Sequence, residues 1–129
     1  MIDPQQELFI AIRQALVEEY GAIVYDGFLP AKGTPYPFIY LADSQIIDEQ
    51  NKSGVCGRVV QMIHVYNNTP KKRGSMSSML ATIKSILRHI ESTKHFGWMV
   101  IGLDQQIMPD NTAETPLMHG IITVTYKFS

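Results

Sequence analysis

The segment Arg58-Val59-Val60-Gln61-Met62-Ile63-His64-Val65-Tyr66 is rich in β-branched and aromatic residues and predicts a β-strand. Successive side chains of a strand point to opposite faces of its sheet. One face of this strand would carry Val59, Gln61, Ile63 and Val65, and the other Val60, Met62, His64 and Tyr66. Both faces are largely apolar, so both need shielding from water.

Two amphipathic helices flank this strand in the sequence. For the first, Asp3 can act as the cap, Pro4 suits the first turn, and Gly21 is a natural end. Ser75 can cap the second helix, which should run to about Ser92. The apolar stripes that define the two helices are Leu8, Ile12 and Leu16 in the first, and Met76, Met79, Leu80, Ile83, Leu87 and Ile90 in the second.

Four further strands are predicted at residues 22–25, 38–42, 98–108 and 117–128. The order α-β-β-β-α-β-β favours a single α+β domain over residues 1–129, with a mostly antiparallel sheet of four to five strands and both helices on one face. In the last strand one face is apolar and is expected to meet the helices; its residues are Met118, Ile122, Val124, Tyr126 and Phe128.

Two helices can cover one face of such a sheet, so the second face needs another cover. Residues 43–57 are mostly polar and predict a strand end followed by a long mobile loop, which could fold over that face, as could a curl of the sheet itself. The other interpretation is a subunit interface, because sizeable exposed apolar patches mark partners. The interface residues predicted on this basis are Val60, Met62, His64 and Tyr66 in the strand and Ile46, Ile47, Asp48 and Glu49 in the loop.

The residue types that usually carry chemistry form no recognisable site. His89 lies near a helix end and His95 in a turn, while His64 and His119 could share a sheet face without a carboxylate or nucleophile placed beside them by spacing. The single Cys56 excludes an intrachain disulfide and lacks the signature of a nucleophile. Residues 54–57, with two glycines, precede a strand rather than a helix, the wrong context for phosphate binding. We therefore expect no catalytic residue, cofactor or metal.

The amino-acid composition limits the kinds of partner that the protein is expected to bind. Apolar residues make up 45% of the chain, charged residues 18%, and the formal net charge is −1, which disfavours direct nucleic-acid recognition. No apolar run is long enough to read as a membrane span, and the first residues lack the features of a secretion signal. The basic cluster Lys71-Lys72-Arg73 is either a solvated loop before the second helix or a contact site for an anionic partner.

Several segments together resemble a known family. They are the first helix, Ile23-Val24-Tyr25, Pro37-Phe38-Ile39-Tyr40-Leu41, Gln61-Met62-Ile63-His64-Val65-Tyr66, Ile86-Leu87-Arg88-His89-Ile90 and Thr123-Val124-Thr125-Tyr126. This arrangement resembles the small tail-completion, or tail-terminator, proteins of long-tailed bacteriophages over nearly the whole chain. The resemblance implies an α+β subunit of a six-fold ring on the head-proximal end of the tail. Its partners would be further copies of itself, the tail tube protein and head-connector proteins, in the host cytoplasm during assembly and then in the virion. It implies no catalytic residue and no cofactor.

Three other functions stay open at this point. The chain could be another neck component, such as a head-completion adaptor or a minor tail protein. It could be a small-ligand-binding or regulatory α+β domain whose second sheet face lines a pocket. An enzyme is the third, and it would need a carboxylate or nucleophile beside His64 or His119.

Overall fold

The computed structural model describes residues 2–49, 55–68, 73–110 and 117–129. Its elements, in chain order, are α1 (Pro4–Tyr20) with a single 3-10 turn after it (Gly21–Ile23), β1 (Val24–Asp26), β2 (Phe38–Glu49), β3 (Cys56–Asn67), α2 (Arg73–Arg88), β4 (Trp98–Asp110) and β5 (Leu117–Phe128). The strands form one sheet in the order β1-β2-β3-β5-β4, in which β1 and β2 are parallel and the other pairs antiparallel. The predicted α+β class and element order are confirmed.

The first helix begins and ends where its sequence signals lie. The carboxylate of Asp3 accepts a hydrogen bond from the backbone N–H of Gln6 at 3.2 Å, and Pro4 occupies the first helical position. At the other end the N–H of Gly21 donates to the carbonyl of Val17. Among the described residues, neither helix has the length and apolar content needed to cross a membrane.

Both helices pack on the same face of the sheet and form the core with it. The buried helix residues are Pro4, Leu8, Ile12 and Leu16 of α1, and Met76, Leu80, Ile83 and Leu87 of α2. On β5, the residues assigned to the helices from their alternation are all buried, which confirms that assignment. The buried hydroxyl of Tyr126 donates to the carbonyl of Leu87 at 2.6 Å, which fixes the end of α2 against β5, and burial raises the pKa of this phenol.

Gln61 is a polar residue in the buried face of the central strand, and the structure explains its position. The pairing of β2 with β3 shifts register between Leu41 and Ser44, which forms a bulge. The side-chain amide of Gln61 donates to the carbonyls of Ala42 and Asp43, both at 3.3 Å, and to its neighbour Met62 at 2.9 Å. The side-chain amide of Gln61 therefore supplies a donor to carbonyl groups at the bulge, where the ladder of the two strands is interrupted.

The predicted mobile loop over residues 43–57 is wrong over most of its length. β2 continues to Glu49 and β3 begins at Cys56, while residues 50–54 lie outside the described residues. Polar residues there face solvent on an extended strand, so composition alone resembled a loop. The two strands approach so closely at Gly57, which pairs with Asp48, that only glycine fits. A Cβ at this position would overlap the backbone carbonyl oxygen of Ile47 on β2.

The second helix differs from its prediction at both ends. It already includes Arg73, so Ser75 lies within the first turn and is not the cap. It ends at Arg88 rather than near Ser92, because the chain turns there and Ser92 forms an isolated β-bridge with Gly97.

Replacing Gln61 with leucine is expected to lower the free energy of unfolding by about 1–3 kcal/mol, because it preserves volume but leaves bulge carbonyls without their donor. Urea denaturation followed by circular dichroism measures the change. Gln106→Leu, at an exposed position of β4, is the matched control and should stay within about 0.5 kcal/mol of the parent. Equal stability of the two variants would contradict this account of the bulge.

Candidate functional site

The sheet face opposite the two helices is uncovered by any described helix or strand; we call it the open face. On β3 the helix-side residues Val59, Gln61, Ile63 and Val65 are 0–1% exposed. The alternate residues Val60, Met62, His64 and Tyr66 are half-buried and lie on the open face. The structure therefore brings together the four strand residues predicted for an interface.

The four interface residues predicted from the supposed loop divide between the two faces. Ile47 pairs with Arg58 and is 46% exposed on the open face. Ile46 pairs with Val59 and packs against the helix-side core, so it does not lie on the open face, and its place in an interface stays a prediction. Asp48 pairs with Gly57 near the end of the strand.

Glu49 lies at the end of β2 and binds a side chain of the open face. Its carboxylate accepts a hydrogen bond from Arg58 Nε at 3.1 Å, and both side chains are substantially exposed. The pair therefore forms a charged rim at one end of the face and adds little to stability.

At the other end of the open face, ring side chains from neighbouring strands form a continuous set that we call the aromatic row. Its members are Tyr25, Tyr36, Phe38, Tyr40, His64, Tyr66 and His119. Phe38 stacks on Tyr66 with centroids 5.0 Å apart, and Tyr66 stacks on His119 at 4.2 Å. Such contacts, repeated across adjacent strands, restrict the orientations of the rings; they bury Phe38 to 7% exposure, while His64, Tyr66 and His119 stay half-buried on the open face.

Two imidazoles within the aromatic row bind each other. His64 Nδ1 and His119 Nε2 are 2.7 Å apart, so the N–H of one ring donates to the bare nitrogen of the other. The pKa of His64 is lowered by burial, against the opposing charge of Asp43. Burial also lowers the pKa of His119, as does the nearby charge of His64, against Asp110. The arrangement favours neutral rings, because a doubly protonated pair would place two N–H groups and two charges against each other.

The open face offers stacking surface and a hydrogen-bonded imidazole pair. Within the described parts of the chain there is no group of three or more His, Cys, Asp or Glu side chains able to hold a metal ion. Asp43 and Asp110 are close enough to influence the two imidazoles through their charge. The short contact of each ring, however, is with the other ring.

The other two histidines have structural partners. His89 follows the end of α2, where its Nδ1 lies 2.7 Å from the carbonyl of Ser85 in the last turn. His95 Nδ1 lies 2.7 Å from Oε2 of Glu7, and Oε1 of the same carboxylate accepts a hydrogen bond from the Thr93 hydroxyl at 2.8 Å. These contacts attach the turn before β4 to α1.

Of the remaining candidates, Cys56 is half-buried and its thiol lies 3.8 Å from the carbonyl of Glu49 on the neighbouring strand. The predicted anionic contact site falls mostly outside the described residues. Lys71 and Lys72 are not among them, and Arg73 is exposed at the start of α2.

No protein-family model and no curated protein matches the sequence. The fold, in contrast, is found in solved structures. One chain of the virion of a native gene transfer agent particle superposes with a TM-score of 0.61 at 14% identity, over 96% of this chain and 94% of that chain. A second solved chain, named only by a sequence identifier, gives a TM-score of 0.57 at 15% identity, over 98% of this chain and 97% of the other. At these identities the likeness shows a shared fold.

Stability is expected to fall as pH is lowered below about 6.5, the ordinary pKa of histidine. Because the folded-state pKa values of His64 and His119 are depressed, the unfolded chain binds more protons in this range, and the loss grows until the folded-state values are passed. Thermal unfolding at several pH values between about 7.5 and 5.5 measures this loss of stability.

The His119→Gln variant should show a smaller pH dependence, because one of the two depressed groups is gone. His89→Gln is the matched control outside the pair and should keep the parental slope. An unchanged slope in the His119 variant would contradict the role given to the pair.

Proposed function

We propose that this chain is a structural subunit of a phage-type particle, and more specifically a tail-completion subunit that forms a ring on the head-proximal end of the tail and joins it to the head. The observation that carries the proposal is the open face, where the central strand leaves an apolar and aromatic surface half-exposed after both helices have been used on the other side. The fold shared with a chain of a gene transfer agent virion supports a role in a particle of this kind.

The composition of the open face suits a protein partner. Its centre carries Val60, Met62 and Ile121, with threonines beside them on β5. The aromatic row lies at one end, and Arg58 and Lys127 lie at the other. An apolar and aromatic centre with charges at the rim is the usual anatomy of an interface that binds specifically.

A ring also needs two different surfaces on each subunit that complement one another, so that the contact repeats by rotation until it closes. The open face is proposed as one docking surface, used toward a neighbouring subunit or toward the tail tube protein and the head connector. This role needs no catalytic residue and no cofactor. It places the mature protein in the virion, at the junction of tail and head.

Deleting the gene from its parent genome and inducing particle production tests the role. Tails without a completed end should fail to join heads, so electron microscopy should show filled heads beside unjoined tails of irregular length. Restoring the gene on a plasmid is the control and should restore joined particles. Normal particles from the deletion strain would overturn the proposal, and intact tails that lack only a head-side part would indicate another neck component.

A Met62→Lys subunit supplied to the deletion strain should lower the yield of joined particles by roughly tenfold or more, since placing a charge at the centre of a desolvated interface costs several kcal/mol. Folding should be retained, because Met62 is half-buried and lysine can extend into solvent. Circular dichroism checks folding and particle yield checks function. Ser85→Lys, on the exposed side of α2, is the matched control and should rescue fully. An unfolded Met62 variant would place that side chain in the core instead.

A further inference from the structure

Two large apolar side chains protrude from the loop between β1 and β2. Phe28 is 89% exposed and Leu29 is 57% exposed; we call these two residues the knob. Single exposed apolar residues are common, but an adjacent phenylalanine and leucine extended into water form a local patch of the kind that marks contact sites.

The loop that carries the knob is held in shape by hydrogen bonds. Gly27 adopts φ 80°, a conformation that favours glycine, and its carbonyl accepts a hydrogen bond from the hydroxyl of Tyr40 at 3.2 Å. The N–H of Phe28 donates to the carbonyl of Asp26 at 3.0 Å, and the Thr34 hydroxyl donates to the carbonyl of Ala31 at 2.6 Å. A loop ordered in advance loses less conformational entropy when it binds.

An open groove runs beside the first half of β4, at the other side of the sheet. It has a volume of about 700 Å³ and is lined by Trp98 to Leu103, with Arg88 at the end of α2 and Glu91 just after it. Met99 is 62% exposed and Ile101 is 44% exposed along it. β4 is the last strand of the sheet; within the described chain its outer edge bonds the carbonyl of Glu91 through the N–H of Trp98 and has no strand neighbour. A groove with apolar side chains beside such a strand edge is suited to receive an apolar extended segment.

The knob and the groove lie at opposite edges of one sheet. The loop follows β1, the first strand in the order β1-β2-β3-β5-β4, and the groove borders β4, the last. Four spacings of about 4.8 Å separate these strands, or about 19 Å. The knob therefore cannot reach the groove of its own subunit, whereas a neighbour placed edge to edge would bring them together.

We infer that Phe28 and Leu29 of one subunit dock in the groove along β4 of the next copy of the chain. This inference rests on the proposed ring and names its repeating contact. The contact is heterologous, since the two surfaces differ, and a heterologous contact continues from copy to copy instead of stopping at a dimer, forming a ring where the rotation closes. It buries Phe28, the most exposed large apolar side chain among the described residues, together with Leu29 on the apolar residues of the groove.

Disulfide trapping in assembled particles tests the contact. The deletion strain is supplied with a Cys56→Ser background that carries Phe28→Cys and Ile101→Cys together, and purified particles are oxidised and separated without reductant. We expect covalent multimers of the subunit that are absent when either cysteine is present alone. The matched control combines Phe28→Cys with Gln105→Cys, also exposed on β4 but outside both the groove and the open face, and should remain mostly uncrosslinked.

The outcomes separate the contact from the proposed function. Particles that contain the subunit but give no multimers, or give them equally with the control pair, overturn the contact and leave the ring in place. Homodimers from Phe28→Cys alone overturn it as well, because they indicate a symmetric contact. Normal joined particles that lack the subunit overturn both.

A second set of variants covers the case in which cysteine substitution itself prevents incorporation. Phe28→Asp and Ile101→Lys should each reduce the incorporated subunit at least tenfold, and the two together should recover part of it by pairing opposite charges. Both sites are exposed, so circular dichroism of the purified subunits should be unchanged. No recovery in the double variant, with folding intact, would overturn the contact.

Discussion

Two helices can shield only one side of a five-stranded sheet, and the properties of this protein follow from that limit. β3 lies in the middle of the sheet, between β2 and β5, and its side chains alternate between full burial and half-exposure. At about 25 cal/mol for each Å² of apolar surface removed from water, the residues on the exposed side represent unused stabilisation. A second molecule that covered these residues would gain this stabilisation.

The uncovered side is also ordered. Phe38, Tyr66 and His119 stack across three neighbouring strands, and the His64–His119 pair adds a hydrogen bond within the same layer. Rings held in this way lose little freedom when a partner binds, so their contacts contribute more to affinity than those of mobile side chains. Covering them would remove more water from the imidazole pair, which links burial of this surface to the neutral state of the two rings.

The two edges of the sheet differ from each other. One edge is short and continues into the loop with Phe28, while the other is a thirteen-residue strand beside an open groove. Unlike edges favour repetition in one sense only, and a long strand edge with no strand neighbour, as β4 has among the described residues, is a risk for uncontrolled pairing. A specific neighbour at that edge would remove the risk and use the same surface for assembly.

The sequence by itself determined the elements of regular structure, the helix-facing side of β5 and the two-sided apolar character of β3, because these properties follow from periodicity and capping within one segment. It did not determine that residues 43–49 continue β2, since polar side chains on a solvent-facing strand have the composition of a loop. Nor did it reveal why Gln61 is buried or that His64 and His119 bond each other, for these depend on a bulge and on register between strands distant in sequence. Strand order, which places the knob and the groove on opposite edges, was decided by tertiary packing alone, because no local pattern encodes which strands become neighbours.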